Sequence, residues 1–555
     1  MTNSKAEELL FLPLGGAGEI GMNLNLYGYG PPGDHTWVMV DLGVTFSDGE
    51  VPGIDVIMPD PGFIVERRDK LAGLVLTHAH EDHLGAVPYL WPQLRCPIYA
   101  TPFTISILER KLSEEGLGDA VEIIEVPLGG RFDVGPFDME LIALTHSIPE
   151  PNAIAIRTPV GTVLHTGDWK FDPDPVVGAT SDEAALRQLG DDGVLAIVCD
   201  STNVFNPGES GSEADLLESL TSIIGQCENR VAVACFASNV ARLQTIAEAA
   251  RSNDRDVVLA GRSLTRIVTA ARENGYLEDV PAFLDEEDAD HLPRDKVVII
   301  CTGSQGEPRA ALSRIAADNH PRVHLEAGDS VVFSSRMIPG NEASIARLQN
   351  QLARRSINVI TERDRFVHVS GHPARDELAK MYQLVRPGIS IPVHGEDRHL
   401  IEHAKLAREC QVSQAIVVEN GAMVRLDPSE AGTIDHVPTG RMVLDGNRVV
   451  PIHSESVRGR VRALWNGTAV ATIVIDGEGN LAAEPRITTN GLVDSDDDPA
   501  IEEACEAARK ALDELSPSQR CDDEAATESL RIAIRRSFRE SLAKRPITTV
   551  HLVRI

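Results

Sequence analysis

A short polar turn after an apolar run constrains this chain more than any other feature of its sequence. The run LVLT is followed at once by three histidines and two carboxylates, His78, His80, Glu81, Asp82 and His83. Imidazole and carboxylate groups are ligands suited to Zn²⁺ or Mn²⁺. Because crowding such groups at one sheet edge is unfavourable without a compensating cation, the motif predicts a metal site.

Further ligands must come from elsewhere in the chain, because one short turn cannot surround two ions. His146, Asp168 and His394 each follow an apolar run that is typical of a strand. Taken singly, each of the three is more typical of a cap or of a buried core residue than of a metal ligand. With the motif, they are the candidate donor set of a metal centre.

Short β-branched runs alternate with helical patterns over residues 1–450, and this alternation predicts an α/β protein. Several of the runs end directly in ionisable residues, namely Asp41, His78, Asp168 and Asp200. In open α/β sheets, ligands gather beyond the carboxyl ends of the strands. The functional face is therefore expected at these strand tips.

Two further segments have patterns of their own. Residues 212–360 repeat strand, turn and helix and are predicted to form a unit with its own parallel sheet, whose first helix starts at a capping-box pattern, Ser212 to Asp215. The composition changes near 451–467, and a small last domain follows. Its predicted elements are strands at 471–476 and 548–555 and helices at 499–514 and 522–544.

The charge balance limits where a polyanion could bind. The chain holds 52 basic and 84 acidic residues, a net charge of −32, which opposes non-specific attraction to phosphate groups. Any nucleic-acid site must therefore be local. The N-terminal segment has acidic residues and no apolar core long enough for a signal peptide, and no stretch is long enough to span a bilayer, so a cytoplasmic protein without membrane contact is expected.

Longer strings carry a resemblance to a known family. HAHEDH together with Asp41, His146, Asp168 and His394 resembles the successive motifs of the metallo-β-lactamase superfamily. Five other strings are similar to the β-CASP nucleases, and most specifically to the bacterial ribonuclease J family: PLGGAGEIGMN (13–23), CDSTN (199–203), FASNVARLQ (236–244), HVSGHPARDEL (368–378) and PVHGE (392–396). The similarity covers about residues 10–555 and is weakest in the last domain.

The resemblance implies a fold and a domain order. The fold is α/β, a metallo-β-lactamase αββα sandwich with an inserted β-CASP α/β domain and a small C-terminal α+β domain. The implied segments are the first part of the metallo-β-lactamase domain at 1–211, the β-CASP domain at 212–360, the second part of the metallo-β-lactamase domain at 361–450, a linker at 451–466 and the C-terminal domain at 467–555.

The resemblance also implies a two-metal centre. One ion would be bound by His78, His80 and His146, the other by Asp82, His83 and His394, with Asp168 bridging both. Zinc is the expected metal, with manganese or magnesium as alternatives. Two such ions would activate water and stabilise in-line attack on a phosphate. The catalytic residues are then Asp82, His83, Asp168 and His372, Asp41 and Asp200 orient the ligands, and Glu81 is not among the family's ligands.

A second string is implied to bind the RNA phosphate and a 5′-monophosphate end. It comprises His368, Val369, Ser370, Gly371 and His372, with Ser238 and Asn239 as the other wall of the pocket. On local sequence alone, a polar turn with Ser370 capping a helix explains the string as well. Pro373, which follows, has no amide hydrogen to donate to a phosphate.

Two lesser expectations concern the periphery. Gly53, Asp55 and Asp445 could hold a structural cation such as Ca²⁺, although a turn explains them more simply. The basic residues of the last helix, Arg531, Arg535, Arg536, Arg539, Lys544 and Arg545, could contact RNA or the acidic residues of a neighbouring subunit.

The resemblance implies a 5′→3′ exoribonuclease with some endonucleolytic capacity, preferring 5′-monophosphate ends of single-stranded RNA, in mRNA decay and in rRNA and mRNA maturation. The expected partners are RNA, a second copy or three further copies of the chain, and other RNA-decay proteins. The alternatives are a DNA nuclease of the same superfamily and a non-catalytic scaffold subunit of an RNA-degrading complex.

Overall fold

The computed structural model describes residues 7–47, 49, 51–338 and 340–555. By its internal packing the chain divides into two compact units: one contains residues up to Phe46 and Val56–Arg441, and the other contains Ser47–Asp55 and Met442–Ile555. Among the described residues, no helix is both long enough and apolar enough to cross a lipid bilayer.

Two mixed sheets form the centre of the first unit. The eight-stranded sheet has the order Gly432–His436, Ala422–Arg425, Glu8–Gly15, Leu24–Gly30, Thr36–Val40, Leu71–Val75, Ile98–Ala100 and Ile123–Glu125. The seven-stranded sheet has the order Arg131–Val134, Phe137–Ala143, Asn152–Thr158, Gly161–His165, Ala196–Asp200, Ile389–Val393 and Gln414–Ala415. Thr45–Phe46 pairs with Val56–Pro59, and Ala17–Gly18 pairs with Gly395–Glu396.

The sheets pack face to face because alternate residues of their strands are apolar. Phe11, Val38 and Val40 of the first sheet share one buried core with Ile154 and Ile391 of the second. The neighbouring residues on the second sheet's strands point the other way and form a separate core with the helices Glu183–Asp192, Arg375–Val385 and Asp397–Glu409. The other helices of this part include Gly62–Val65, Glu81–Leu84, Val87–Leu94 and Pro102–Glu114, and the last of these contacts the edge strand Ile123–Glu125 of the first sheet. The predicted αββα sandwich is confirmed.

A third sheet lies within residues 212–360. Its five strands are all parallel, in the order Asp256–Ala260, Val297–Cys301, Val231–Ala234, Ser330–Phe333 and Asn358–Ile360. The helices around it are Leu216–Gln226, Val240–Arg251, Arg262–Glu273, Ala311–Ala316 and Glu342–Arg354. A separate parallel sheet was expected here from the strand, turn and helix pattern, whereas the domain boundaries themselves stay predictions.

The start of the first helix of this segment differs from the prediction. The helix begins at Leu216, and its N-cap residue, Asp215, makes no side-chain capping bond. The Ser212 hydroxyl donates to the carbonyl of Asp174 at 2.8 Å and accepts from the Ala214 amide at 3.3 Å, while the Asp215 side chain accepts from the Ser212 amide at 3.3 Å. Part of the predicted capping pattern is therefore present, but it lies in the turn before the helix and not at the helix start itself.

The second unit is built around a three-stranded sheet in the order Arg486–Asn490, Thr468–Ile475 and Ile547–Arg554. Its helices are Glu455–Asn466, Pro499–Asp513, Pro517–Arg520 and Asp523–Leu542, and a hairpin joins Arg441–Asp445 to Arg448–Pro451. The predicted strands and both long helices are present. The segment 451–466, predicted as a linker, is largely helical, and the strand Arg486–Asn490 was not predicted because its run of polar residues has no apolar alternation.

Candidate metal centre

The polar turn of the motif is fixed by the loop behind it. The strand Leu71–Val75 leads into the turn, and the short helix Glu81–Leu84 closes it. The Val44 amide donates to the Glu81 carbonyl at 3.0 Å, and the Leu42 amide donates to the His83 carbonyl at 2.7 Å. Gly43 lies so close that a Cβ there would be 1.7 Å from the Asp82 carbonyl oxygen. Glycine at this position therefore lets two backbone segments touch.

One candidate ligand group collects His78, His80, His146 and Asp168, whose potential donor atoms all lie within 4.8 Å of one another. His80 Nδ1 lies 3.1 Å from His78 Nε2 and 3.1 Å from His146 Nε2. The other ring nitrogens face the protein: His146 Nδ1 lies 2.5 Å from the Gly371 carbonyl, and His78 Nδ1 lies 2.9 Å from the Thr77 hydroxyl. Each ring is thus oriented with one nitrogen toward the shared centre.

The second candidate group collects Asp82, His83, Asp168 and His394, again within 4.8 Å. His83 Nε2 lies 3.2 Å from Asp168 Oδ2, and His394 Nε2 lies 3.6 Å from the same oxygen. Asp82 Oδ2 lies 3.5 Å from His83 Nε2 and 3.7 Å from His394 Nε2. Asp168 therefore belongs to both groups, as the bridging prediction requires.

Asp41 lies directly behind the second group. Its buried carboxylate is 2.7 Å from His83 Nδ1 and accepts hydrogen bonds from the amide and the hydroxyl of Thr77. Asp41 has a positive φ of 64° and His394 one of 51°, conformations that non-glycine residues adopt rarely. Asp41 thus holds a candidate ligand and, through Thr77, also reaches His78.

Asp168 provides a test of whether the site fits divalent cations. One of its carboxylate oxygens, Oδ1, is buried and has no hydrogen-bond partner among the described residues. Burial raises the pKa of Asp168, but the nearby His394, His83 and His372 outweigh burial and hold the pKa well below its usual range. Burial is the main cause that lowers the pKa values of His78, His80 and His146. An anionic carboxylate beside three imidazoles with lowered pKa values, those of His78, His80 and His146, suits Zn²⁺.

His372 and Asp200 form a third pair beside this centre. His372 Nδ1 lies 2.8 Å from Asp200 Oδ2, and Asp168 Oδ2 lies 3.9 Å from the same nitrogen. Burial lowers the pKa of His372, but Asp200 and Asp168 outweigh burial and raise the pKa to about 9. Asp200 is itself held by the amide and hydroxyl of Thr202. The pair places a proton-bearing imidazole at the edge of the candidate ligand groups.

Ser238 and Asn239, predicted as one wall of a phosphate pocket, point in different directions. The Ser238 hydroxyl lies 3.1 Å from His80 Nε2. Asn239 is buried, accepts a hydrogen bond from the Arg242 amide as the cap of the helix Val240–Arg251, and donates to Glu213. Helix capping and a buried partner thus use the amide group of Asn239, whereas its predicted contact with a phosphate stays a prediction.

His368, Val369 and Ser370 line a cavity of about 400 Å³ together with Asn203 and Arg336. The Ser370 hydroxyl accepts hydrogen bonds from the Asn203 side chain at 2.7 Å and from the His372 amide at 3.1 Å. His368 Nδ1 is buried and has no partner among the described residues, and burial, with Arg242, Arg336 and Lys170 nearby, lowers its pKa well below the usual value. The lining of this cavity thus contains both the imidazole of His368 and the guanidinium of Arg336.

The other residues of this segment serve packing. Val369 is buried, and Gly371 lies so close to His146 that a Cβ would be 2.9 Å from the ring. The helix Arg375–Val385 starts after Ala374, whose amide donates to Glu377. Ser370 is therefore not a helix cap.

The site predicted for a structural cation contains two arginines. Asp445 forms ion pairs with Arg460 at 2.8 Å and with Arg448 at 3.5 Å, and the Arg460 guanidinium also lies beside Gly53. The Asp55 carbonyl accepts a hydrogen bond from the Ser47 amide. Guanidinium groups balance Asp445, so the structure gives no support to a cation there.

Sequence reasoning missed Asn23. Its side chain is buried, lies about 3 Å from His394 Nδ1 and 3.2 Å from His83 Nε2, and donates to the Asp82 carbonyl. Asn23 stands in the string PLGGAGEIGMN, but a lone asparagine after a glycine-rich run is typical of a turn. No local signal distinguishes it.

Four segments of the chain match known families. They are described as "Beta-lactamase superfamily domain" at residues 36–186, "Ribonuclease J, beta-CASP domain" at 228–352, "Zn-dependent metallo-hydrolase RNA specificity domain" at 356–417 and "Ribonuclease J C-terminal domain" at 456–555. Fold, site and these matches define a metal-dependent nuclease of the metallo-β-lactamase superfamily. Both the enzyme class and the fold class predicted from the sequence are confirmed.

Individual relatives narrow the family. Ribonuclease J of Sinorhizobium meliloti is 45% identical over 551 residues, covering 99% of this chain and 98% of the relative. Ribonuclease J2 of Bacillus subtilis is 33% identical over 552 residues, covering 99% of each chain. The chain belongs to the ribonuclease J family. A protein of unknown function from Enterococcus faecalis, 18% identical with a TM-score of 0.52, covers 76% of this chain with 100% of its own and shares the fold.

Proposed function

We propose that this protein is a 5′→3′ exoribonuclease with some endonucleolytic capacity, which prefers 5′-monophosphate ends and acts in mRNA decay and in rRNA and mRNA maturation. The observation that carries the proposal is Asp168, a buried carboxylate shared by two groups of candidate ligands. Family membership supports RNA as the substrate. We further propose an assembly of two or four copies and a cytoplasmic location.

In the proposed site, His78, His80 and His146 would hold one zinc ion and Asp82, His83 and His394 would hold a second, with Asp168 contributing to both groups. Manganese and magnesium are the alternatives, since availability as well as ligand type decides the metal. When bound, such ions neutralise the phosphate and supply a hydroxide nucleophile at neutral pH. Asp41 and Asn23 keep His83 and His394 in position.

His372 is proposed to handle the proton of the leaving group. Asp200 holds Nδ1–H at 2.8 Å, so Nε2 is the nitrogen that can face the substrate. The raised pKa, about 9, keeps the ring protonated at neutral pH. His372 can therefore give the proton of Nε2 to the departing oxygen, as a general acid. The cavity at His368, Ser370 and Arg336 is proposed to receive the 5′-monophosphate.

The substrate is tested with three polymers of one sequence: 5′-monophosphorylated RNA, 5′-triphosphorylated RNA and 5′-monophosphorylated DNA. Supplied with Zn²⁺ or Mn²⁺, the purified protein is expected to release mononucleotides fastest from the monophosphorylated RNA. Equal release from DNA would assign the protein to the DNA nucleases. Absence of any cleavage would favour a scaffold subunit.

The metal assignment is tested by substitution. His80→Ala and Asp82→Ala are expected to abolish cleavage and to lower the bound metal while RNA binding persists. Glu81→Gln is the matched control, because Glu81 stands in the same turn, is exposed and pairs with Lys111 at 2.6 Å. Retained turnover in His80→Ala, or an equal loss in Glu81→Gln, would contradict the assignment.

A further inference from the structure

An exposed aromatic side chain ends the first helix of the second unit. In the helix Glu455–Asn466, Trp465 is 69% exposed and Leu464 is 64% exposed. The other three tryptophans, Trp37, Trp91 and Trp169, are buried. A tryptophan exposed to this degree leaves a flat apolar face available to a partner.

Basic groups lie next to this tryptophan. The Lys544 ammonium donates to the Trp465 carbonyl at 2.7 Å, and the Arg545 amide donates to the Asn466 side chain at 3.1 Å. These two bonds fix the end of the last helix beside the end of the first. Both cationic side chains are exposed.

The last helix, Asp523–Leu542, carries further basic residues. Leu530, Ile534 and Phe538 form its buried face, while Arg535, Arg536 and Arg539 are exposed. Over the part of the chain that the structure describes, these three arginines form no ion pair. Arg535 and Arg539 are one turn apart on the helix, about 6 Å along its axis. The side chains of Trp465, Arg535, Arg536, Arg539, Lys544 and Arg545 are called the C-terminal basic surface below.

Cations at the end of a helix can simply stabilise its dipole, but that effect is confined to the last turn. Arg535 and Arg536 lie before that turn. Residues 529–555 contain seven basic residues, Arg531, Arg535, Arg536, Arg539, Lys544, Arg545 and Arg554, against one acidic residue, Glu540. Such a concentration of basic residues contrasts with the net charge of −32 of the whole chain, and it therefore points to a binding role.

We propose that the C-terminal basic surface binds single-stranded RNA without regard to sequence, with a base stacked on Trp465 and phosphates against the arginines. Stacking on an aromatic ring beside cations is how proteins hold single strands of any sequence. RNA matches both kinds of group on this surface, because it offers bases to the indole and phosphates to the cations. The inference rests on the proposed function, and it adds an RNA contact formed wholly by residues of the second unit.

The tryptophan gives the first test. The full-length protein is mixed separately with two phosphorothioate RNAs, which hydrolyse slowly. The long RNA has about 30 nucleotides, and the short RNA, of about four, is the control. The long RNA is expected to quench the emission of Trp465 and shift it to shorter wavelength. Trp465→Phe should remove that change, because the remaining tryptophans are buried. An unchanged spectrum with the long RNA would overturn the proposal.

Charge reversal gives the second test. Arg535→Glu with Arg539→Glu is expected to weaken long-RNA binding about tenfold or more and to reduce the slope of log affinity against log salt by about 1.4. The matched control is Arg486→Glu with Lys510→Glu, which changes two other exposed cations of the same unit. Equal losses in both variants would contradict the proposal.

The two proposals fail differently. If the double reversal leaves long-RNA affinity intact while RNA is still cleaved, the surface is not an RNA site and the proposed function stands. If the wild-type protein neither binds nor cleaves RNA, the proposed function itself fails. A Trp465 spectrum that changes with protein concentration and not with RNA would assign the surface to a second copy, against the proposal.

Discussion

At the scale of single residues, the contact between Ser238 and His80 joins the inserted sheet to the candidate metal centre. The hydroxyl lies 3.1 Å from Nε2, so it can accept a hydrogen bond from that nitrogen. The unprotonated Nδ1 then faces His78 and His146. Partners of this kind orient metal-binding histidines and tune their basicity. Ser238 is therefore a positioning residue for a candidate ligand.

Ser238→Ala is expected to lower metal affinity about tenfold, whereas Ser238→Thr, which keeps the hydroxyl, should retain it. The measurement is a metal titration of each purified variant, with the bound ion counted. Ser238→Ala could instead lose the preference for 5′-monophosphate ends while its metal affinity is unchanged. That result would support the prediction that Ser238 forms one wall of the phosphate pocket.

His403 gives a dependence of stability on pH. Its ring is buried, with Nδ1 2.8 Å from the Ser201 hydroxyl and Nε2 2.8 Å from the Tyr382 hydroxyl. Burial lowers the pKa of His403 to about 4. The unfolded chain therefore takes up a proton at this residue below about pH 6.5, while the folded chain does so only below about pH 4.

The free energy of unfolding should accordingly fall as the pH drops from about 6.5 to about 4, with His403 contributing about 3 kcal/mol of the loss. His403→Gln should flatten the fall in that window. The check is the melting temperature against pH for both proteins. Parallel curves would show that His403 does not contribute.

At the scale of elements, the loop Asp41–Val44 and the turn His78–His83 behave as one piece. Two backbone hydrogen bonds link them, and a third joins the loop to the residues just after the turn, from the Ala86 amide to the Leu42 carbonyl at 3.1 Å. Asp41 at the end of one segment then meets His83 in the other. Close packing at Gly43 is the condition for this arrangement, since the approach is between backbone atoms that cannot move aside.

Gly43→Ala is expected to destabilise the protein by about 2 kcal/mol or more and to reduce metal binding, because the new methyl group overlaps the Asp82 carbonyl. Gly432→Ala is the matched control, with nothing within 4 Å of its Cβ position. Thermal unfolding and metal content are measured for both. Similar stability in the two variants would mean that the loop can shift.

At the scale of the whole molecule, charge and metal act together. Buried carboxylates lie among histidines at one end of the sandwich, and one oxygen of Asp168 has no hydrogen-bond partner within the part of the chain that the structure describes. A bound cation supplies the missing interaction only in the folded state, so metal should stabilise the fold. The net charge of −32 meanwhile confines polyanion binding to such local sites.

Removal of metal by a chelator is therefore expected to lower the melting temperature by several degrees, and added Zn²⁺ should restore it, since ligand at about 100 times its Kd contributes about 2.7 kcal/mol. In His80→Ala the response should be much smaller. Calorimetry with and without chelator makes the comparison. An equal response in wild type and variant would place the stabilising ion elsewhere.

The metal chemistry and the class of fold follow from local patterns in the sequence. Two patterns depend only on near neighbours in the chain: the cluster of imidazoles and carboxylates after an apolar run, and the alternation of strand and helix. Both can be recognised without knowledge of tertiary contacts. The candidate ligands His78, His146, Asp168 and His394 come together where predicted.

The side chains that form hydrogen bonds to those ligands are set by tertiary packing. Asn23 meets His394 across 371 positions, Ser238 meets His80 across 158, Asn239 turns inward to cap a helix, and Asp445 is paired with arginine. A polar side chain takes whichever partner the packed chain brings within reach, and burial makes an unmade hydrogen bond costly. Long-range packing, which no local pattern encodes, therefore assigns these roles.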